Sequence, residues 1–143
     1  MKCSELMKKN VECCRESDTA AEVAERMRER NVGFVPVCGA AGEPIGTVTD
    51  RDLAVRVVAS RLPAESTLIE EVMTHEVIAC RPTDELEIAE ALMCRYKKSR
   101  VMCTNEAGKL VGVISLSDVA EVETRGKSSA VLRSVAQREA RHV

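Results

Sequence analysis

Two stretches of the sequence decide its fold: GTVTDRDL at residues 46–53 and GVISLSDV at residues 112–119. Each contains a glycine, a short apolar run typical of a β-strand, a hydroxyl side chain and, three positions later, an aspartate. This spacing is that of a capping box, so both stretches predict a strand that ends where a helix begins. The hydroxyl and the free N–H groups there also suit a phosphate, and the aspartate suits a ribose diol. The residues alone leave capping and ligand binding both open.

The two stretches belong to a longer internal repeat. Shifting the chain by 66 positions places Glu5–Val55 on Glu71–Glu121 without a gap. Identical pairs include Met7/Met73, Val11/Val77, Cys14/Cys80, Arg15/Arg81, Asp18/Asp84, Met27/Met93, Val35/Val101, Gly42/Gly108, Gly46/Gly112 and Asp52/Asp118. A unit of about 50 residues is too small to bury an adequate core by itself. We therefore expect two copies of one unit that pack against each other as a pseudo-twofold pair.

Each copy is predicted to be β-α-β-β-α, which places the chain in the α+β class. The predicted strands are Val11–Cys14, Val32–Cys38 and Ile45–Thr49 in the first copy, and Val77–Cys80, Val101–Thr104 and Leu110–Ser115 in the second. A capping box at Thr19–Glu22 starts the long helix of the first copy. The apolar stripes of the two long helices are Ala20, Val23, Ala24 and Met27, and Leu86, Ala89 and Met93. The closing helices begin near Asp50 and Leu116.

The segment between the copies contains two further signals. The first closing helix runs to about Ser60, and Pro63 ends it. Residues 67–70, Thr-Leu-Ile-Glu, fit a capping box for a short connecting helix. The predicted organisation is a first repeat at 4–60, a connecting segment with the second repeat at 61–122, and a basic tail at 123–143. The tail is interpreted as a terminal helix on its neighbour, with a partner-docking or nucleic-acid-touching segment as the alternative.

Composition excludes several classes of partner. The 143 residues carry a net charge of −2, with 45% apolar and 31% charged residues, which is typical of a globular protein. Binders of duplex nucleic acid or anionic membranes need net basic surface, and single-strand binders need aromatic platforms. Phe34 and Tyr96 are the only aromatic residues of the sequence. The N-terminus has no apolar run of signal-peptide length, so we expect a cytoplasmic protein without a membrane partner, and nucleic acid is disfavoured.

The cysteine pattern favours reduced thiols. The seven cysteines include no C-x-x-C pair, and His75 and His142 do not fall at zinc-ligand spacing, so we predict no metal site. Most of the thiols are expected to be buried as small hydrophobic side chains. A redox role for the adjacent Cys13 and Cys14 stays open as an alternative.

The ordered set of motifs resembles the CBS-domain family, named after cystathionine β-synthase, as a tandem pair. The resemblance covers residues 4–122 and rests on the Thr19–Glu22 helix start, Val35-Pro36-Val37, the turn glycine, and residues 46–53 and 110–118. No single motif is specific, but their occurrence twice at one offset is. The form Thr-Asp-Arg-Asp-Leu is similar to that of stand-alone bacterial CBS-pair proteins without a catalytic domain.

The resemblance implies a non-catalytic regulatory module with adenosine-nucleotide clefts between the repeats. The expected ligand is AMP, ADP or ATP, with NAD or S-adenosylmethionine possible and no metal. The implied nucleotide-binding residues are Asp52 and Asp118 for ribose, Thr49, Ser115, Ser117 and Arg51 for phosphate, and Gly33 and Ser99 beside adenine. Arg100 is either a phosphate ligand or an exposed strand residue. The module is expected to signal through a flat head-to-head homodimer or a downstream protein partner.

Three other functions remain as alternatives. A structural or interaction subunit would act independently of nucleotide, and a thiol-based sensor needs an exposed cysteine of low pKa. An enzyme is disfavoured because neither histidine has a nucleophile or carboxylate partner by motif, and no P-loop or G-x-G-x-x-G arrangement occurs.

Overall fold

The computed structural model describes residues 1–122 and 131–137, which form two compact units. The first unit is Glu12–Val77, and the second unit joins Met1–Val11 to the described residues from Ile78 onward. In chain order the elements are α1 (Cys3–Leu6), α2 (Ala20–Arg30), β1 (Phe34–Cys38), β2 (Pro44–Thr49), α3 (Asp50–Asp52), a π-helical segment (Leu53–Val58), α4 (Ile69–Val72), β3 (Ala79–Cys80), α5 (Leu86–Tyr96), β4 (Arg100–Thr104), β5 (Leu110–Ser115) and α6 (Leu116–Val122). Each predicted strand-to-helix junction is therefore present.

The first unit is built on the antiparallel pair β1–β2. Its register places Val35 opposite Val48 and contains a bulge between Val37 and Cys38. The predicted strand Val11–Cys14 is reduced to a single parallel bridge between Cys14 and Val37. The buried core joins these strands to α2, α4 and the π-helical segment through Cys14, Ala20, Val23, Met27, Val35, Val37, Val48, Leu53, Val57, Ile69, Val72 and Met73.

The second unit contains a three-stranded sheet of order β3-β4-β5. Strand β3 is parallel to β4, and β4 is antiparallel to β5. The predicted strand Val77–Cys80 is shorter in the structure, at Ala79–Cys80, whereas Leu110–Ser115 has the predicted bounds. Its core includes Leu86, Ala89, Met93, Val101, Ile114 and Val119. The mixed helix and strand architecture is the α+β class that the sequence predicts.

The predicted capping of α2 is confirmed. Glu22 N donates to Thr19 Oγ1 at 3.2 Å, and Thr19 N donates to Glu22 Oε2 at 3.4 Å. The prediction that Ala24 belongs to the buried stripe is wrong. Its side chain is exposed, while Ala20, Val23 and Met27 are buried, so the buried face is narrower than the sequence suggests.

The capping box predicted at Thr67 and Glu70 is also wrong by one residue. Helix α4 begins after Leu68, whose N–H donates to Glu71 Oε2 at 2.8 Å. The Thr67 hydroxyl instead donates to Pro63 O at 2.8 Å, and the Thr67 side chain is buried. The Glu70 N–H, which a cap at Thr67 would satisfy, donates instead to Glu16 O at 3.1 Å.

The short helix at the start of each repeat packs in the compact unit that contains most of the other repeat. Helix α1 lies at the start of the first repeat but contributes Cys3 to the core of the second unit. Helix α4, at the same position 66 residues later, contributes Ile69 and Val72 to the core of the first unit. The compact units are therefore shifted relative to the organisation 4–60 and 61–122 proposed from the sequence, because buried apolar contacts and not sequence order define them.

Part of the predicted basic tail is described. Residues 131–137 are helical, with Val131 and Val135 buried. Ser134 Oγ donates to Cys94 O at 3.0 Å, which joins this helix to α5. The basic residues Arg125, Lys127, Arg138 and Arg141 lie outside the described residues. Within the described ranges, no helix has the length and apolar character needed to cross a membrane.

Candidate functional site

The first junction joins β2 to α3 in the first unit. Asp52 N donates to Thr49 Oγ1 at 3.1 Å, and Thr49 N donates to Asp52 Oδ2 at 2.9 Å. Thr49 has extended backbone dihedrals and Asp50 begins the helix, so the side chains satisfy N–H groups that the helix itself leaves free. Asp50 N donates to Gly33 O at 2.9 Å, which holds the residue before β1 against the same junction. Gly33, Thr49 and Asp52 are thus brought together.

Gly33 is in close contact with Asp50. A Cβ built on Gly33 would lie 2.5 Å from Asp50 Oδ2, well below an ordinary contact. Asp50 Oδ1 also accepts from Arg51 N at 2.8 Å. The Asp50 carboxylate therefore lies over the residue that the resemblance places beside adenine, and it brings a negative charge into the first junction.

The second junction joins β5 to α6 and has the same backbone pattern. Asp118 N donates to Ser115 Oγ at 3.2 Å, and Ser115 N donates to Asp118 Oδ2 at 3.1 Å. Leu116 N donates to Ser99 O at 2.8 Å, as Asp50 N does to Gly33 O in the first unit. Ser117 Oγ is 2.9 Å from Ser115 Oγ, so two hydroxyls form a pair at this junction. Ser115 and Asp118 are buried, and Ser117 is exposed.

Each junction aspartate has a cationic neighbour that the sequence motifs did not identify. Arg56 Nε lies 3.8 Å from Asp52 Oδ1, and Lys8 Nζ lies 3.7 Å from Asp118 Oδ1. The i,i+4 spacing of Asp52 and Arg56 is a signal that the sequence did contain. Lys8 has no such signal, because it is 110 residues from Asp118 in the chain and its unit is assembled from both ends of the sequence.

Arg56 also fixes the junction to α4. Its Nη1 donates to Val72 O and Met73 O, both at 3.0 Å. A guanidinium that bonds carbonyls at a helix C-terminus and lies near a carboxylate has little freedom to reorient. Asp52 is therefore held from two sides, by the Thr49 N–H and by Arg56.

The two junctions differ in charge. Beside the first lie Asp50 and Asp52 with Arg51 and Arg56, so the formal charges balance. At the second, Leu116 and Ser117 stand where the first has Asp50 and Arg51. Asp118 lies near Lys8, and Arg100 is opposite Ser115 in the β4–β5 pairing. Arg100 is exposed, and its Nη1 donates to Ser99 Oγ at 3.2 Å, which orients the guanidinium toward the entry of β4.

All nine residues assigned to nucleotide binding thus fall into two groups. Gly33, Thr49, Arg51 and Asp52 belong to the first junction, and Ser99, Arg100, Ser115, Ser117 and Asp118 to the second. In the part of the chain that the structure describes, no group of three or more histidine, cysteine, aspartate or glutamate side chains is placed to hold a metal ion. His75 is exposed on the segment that leads to β3.

The fold and the two junctions define a tandem-repeat α+β protein in which each repeat carries a capped strand-to-helix turn. Residues 3–59 and 69–124 each match the CBS domain, so the chain belongs to the CBS domain family and contains two such domains. It is 30% identical to protein YlbB of Bacillus subtilis over 138 residues, which are 95% of this chain and 92% of that protein. It is also 30% identical to protein MK0525 of Methanopyrus kandleri over 83% of this chain, but it spans only 61% of that protein's length.

A solved structure of the same fold contains adenosine compounds. The CBS domain pair of protein MJ0100, in complex with 5′-methylthioadenosine and S-adenosyl-L-methionine, superposes with a TM-score of 0.75. The match covers 85% of this chain and 94% of that one at 20% sequence identity. At this identity the similarity shows the fold.

Proposed function

We propose that this chain is a non-catalytic regulatory module that binds an adenosine-containing nucleotide, AMP, ADP or ATP, at its strand-to-helix junctions. The observation that carries the proposal is the repeated pairing of a hydroxyl with an aspartate at both junctions. In each pair one carboxylate oxygen accepts from the backbone and fixes the side chain. The other oxygen, Oδ1, remains near a cation and has lone pairs for ribose hydroxyls.

The proposed ligand contacts follow from the types of group present. The Asp52 and Asp118 carboxylates accept hydrogen bonds from the two ribose hydroxyls. The hydroxyls of Thr49, Ser115 and Ser117 donate to phosphate oxygens, and Arg51 or Arg100 neutralises their charge. Gly33 and Ser99 offer backbone groups to adenine, which needs no aromatic side chain. The MJ0100 complex supports this ligand class, because a protein of the same fold contains two adenosine compounds.

We propose further that the second junction takes the phosphorylated ligand more strongly than the first. The Asp50 carboxylate at the first junction opposes an anion, whereas the equivalent residue of the second junction, Leu116, is uncharged. The second junction also has the paired hydroxyls of Ser115 and Ser117, where the first has Thr49 and Arg51. Binding would act on a homodimer or a protein partner only by the difference in its affinity for the two states.

The experiment compares aspartate variants with a capping variant that lies outside the proposed site. Asp52→Ala and Asp118→Ala remove both a cap and the proposed ribose ligand. Glu22→Ala removes a cap of the same type, because Glu22 Oε2 accepts from Thr19 N as Asp52 Oδ2 accepts from Thr49 N. Thermal shift and calorimetry are measured with AMP, ADP, ATP, NAD and S-adenosylmethionine for each variant.

The expected result separates capping from binding. A ligand at one hundred times its Kd stabilises the wild type by about 2.7 kcal/mol. All three variants lose stability without ligand, but only the aspartate variants lose ligand stabilisation, and Asp118→Ala loses more of it with ATP. No shift of the wild type with any ligand would contradict the proposal, as would an unchanged shift in the double aspartate variant. Those results would instead favour a nucleotide-independent interaction subunit.

A further inference from the structure

Two cysteines far apart in the sequence meet in the first unit. Cys38 Sγ lies 3.5 Å from Cys13 Sγ. Their backbones are held beside each other, because Cys14 N donates to Pro36 O at 3.0 Å and Cys38 N donates to Cys14 O at 2.9 Å. Arg26 Nη1 adds a hydrogen bond of 3.4 Å to Cys13 O. The proximity of the two thiols is therefore a property of the backbone pairing.

The two thiols differ in exposure and in acidity. Cys13 is exposed, whereas Cys38 is 5% exposed and its thiol donates to Cys13 Sγ. This hydrogen bond lowers the pKa of the Cys13 thiol to about 7, with a smaller lowering by Arg15 and an opposing effect of Glu12 and burial. The same contact raises the pKa of Cys38. An exposed thiolate beside a protonated thiol is the arrangement of a nucleophile and a second thiol that resolves its oxidised form.

The adjacent Cys13 and Cys14 do not provide this arrangement. Consecutive Cα atoms are about 3.8 Å apart, which is below the roughly 4.4 Å minimum usual for disulfides. Cys14 is 2% exposed, and its Sγ contacts Pro36 O within the core. The alternative redox pair considered from the sequence is therefore replaced by Cys13 and Cys38.

The pair is not required by the repeated fold. At the positions equivalent to Cys13 and Cys38, the second repeat has Ala79 and Thr104. It nevertheless forms the corresponding parallel pairing, between Cys80 and Cys103. The thiols Cys3, Cys80 and Cys103 also approach within 3.5 to 3.7 Å, but all three are buried. Among the close cysteine pairs of the described residues, only the pair of Cys13 and Cys38 contains an exposed thiol.

We propose that Cys13 and Cys38 form a redox-active dithiol that hydrogen peroxide or a small organic hydroperoxide converts to a disulfide. The Cys13 thiolate attacks the peroxide oxygen, the O–O bond breaks, and Cys13 becomes a sulfenic acid while hydroxide or an alkoxide leaves. The leaving group takes from solvent the proton that the Cys13 thiol had released, and departs as water or an alcohol. Cys38 sulfur then attacks Cys13 sulfur, the S–O bond breaks, and the sulfenic oxygen leaves as water with the Cys38 proton. The two thiols lose two electrons and the hydroperoxide gains them. A small thiol reductant restores the dithiol by exchange.

The proposed bond requires only a local movement. The sulfurs must approach from 3.5 Å to about 2.05 Å, a change of about 1.5 Å between two side chains that are already in contact. Cys38 lies at the bulge of β1 and next to Gly39, where the strand register already changes. The disulfide would fasten the segment that leads into α2 to the end of β1, and this function is independent of the proposed nucleotide site.

The test is disulfide mapping of the folded full chain after a small excess of hydrogen peroxide. Trypsin places Cys13 and Cys14 in one peptide, residues 10–15, and Cys38 in another, residues 31–51. Cys13→Ser and Cys38→Ser remove the proposed partners in turn. Cys14→Ala is the matched control, because it alters the neighbouring cysteine of the same peptide. Circular dichroism of each reduced variant checks that it is folded.

The expected result is a cross-link between the two peptides that dithiothreitol reverses, in the wild type and in Cys14→Ala but in neither serine variant. Cys13→Ser is also expected to consume peroxide more slowly. Overoxidation of Cys13 without a cross-link would overturn the proposal, as would the same cross-link in Cys13→Ser. If Cys38→Ser does not fold, the comparison of wild type, Cys13→Ser and Cys14→Ala still decides between these outcomes.

Discussion

Gly46 and Gly112 occupy equivalent positions in the two repeats, but substitution by alanine is expected to have unequal effects. A Cβ on Gly46 would lie 2.3 Å from the backbone oxygen of Thr74, whereas ordinary contacts begin at 3.4 Å. Thr74 is fixed by two hydrogen bonds of 2.9 Å with Thr47. The oxygen must therefore move by about 1 Å and weaken both bonds.

The magnitude for Gly46→Ala follows from three opposing effects. The two weakened hydrogen bonds cost about 1 kcal/mol each, and overpacking costs about 1–3 kcal/mol. Alanine also lowers the conformational entropy of the unfolded chain, which offsets about 0.4–1 kcal/mol of this loss of stability. The net loss is about 3 kcal/mol, which for a chain of this size lowers Tm by roughly 6–12 °C.

A Cβ on Gly46 also meets the flexible end of Met73, whereas for Gly112→Ala the three nearest atoms all belong to the Met7 side chain. The nearest atoms are Met7 Sδ at 2.6 Å and Cγ at 2.8 Å, which move when Met7 changes rotamer. Met7 Cβ, at 3.0 Å, must give by only a few tenths of an ångström. We expect a loss of about 1 kcal/mol, or roughly 2–4 °C in Tm. Urea unfolding and calorimetry of both variants provide the measurement. If Gly112→Ala lost as much stability as Gly46→Ala, a flexible side chain would not relieve the contact at lower cost than a hydrogen-bonded backbone carbonyl, and the expectation would be wrong.

Three further outcomes are expected. Met93→Ala removes a side chain with no exposed surface and lowers the free energy of unfolding, measured in urea, by about 2–5 kcal/mol. The loss is expected to exceed that of Met27→Ala, whose residue is 8% exposed, and an equal loss in the two variants would contradict this order. Thr19→Ala removes the Thr19 Oγ1 cap of α2 and costs about 1 kcal/mol, whereas Thr83→Ala at an exposed turn is the control and is expected to be neutral. The alkylation rate of Cys13 by iodoacetamide rises with pH around its pKa of about 7, because the thiolate is the reacting form. Cys38→Ala removes the hydrogen-bond donor, so it raises the pKa of Cys13 and slows its alkylation at neutral pH. An unchanged pH–rate profile in Cys38→Ala would show that the thiol contact has no effect.

The repeat could be predicted by comparing the sequence with itself, and the junctions could be predicted because their signals are local. A capping box involves residues three positions apart, and the hydroxyl–aspartate contacts at Thr49 and Ser115 form as their spacing predicts. The same rule placed the cap of α4 at Thr67 and was wrong, because the Glu70 N–H that this cap would satisfy donates to Glu16 O. The equivalence of Glu5 and Glu71 in the repeat was the better signal for where α4 begins. Each of these carboxylates accepts a hydrogen bond from the backbone N–H three residues earlier, at the N-cap of its helix.

The sequence by itself determined two copies of a β-α-β-β-α unit, their capped junctions and membership of a family. Periodicity and capping depend on near neighbours in the chain, and a repeat is found by comparing the sequence with itself. Only the tertiary structure decided which leading segment joins which core, that Lys8 lies beside Asp118, and which cysteine faces Cys13. Each of these is a contact between residues far apart in the sequence: Lys8 meets Asp118, and Cys13 meets Cys38. Such contacts follow from how buried apolar surface assembles the chain, and no local spacing encodes them.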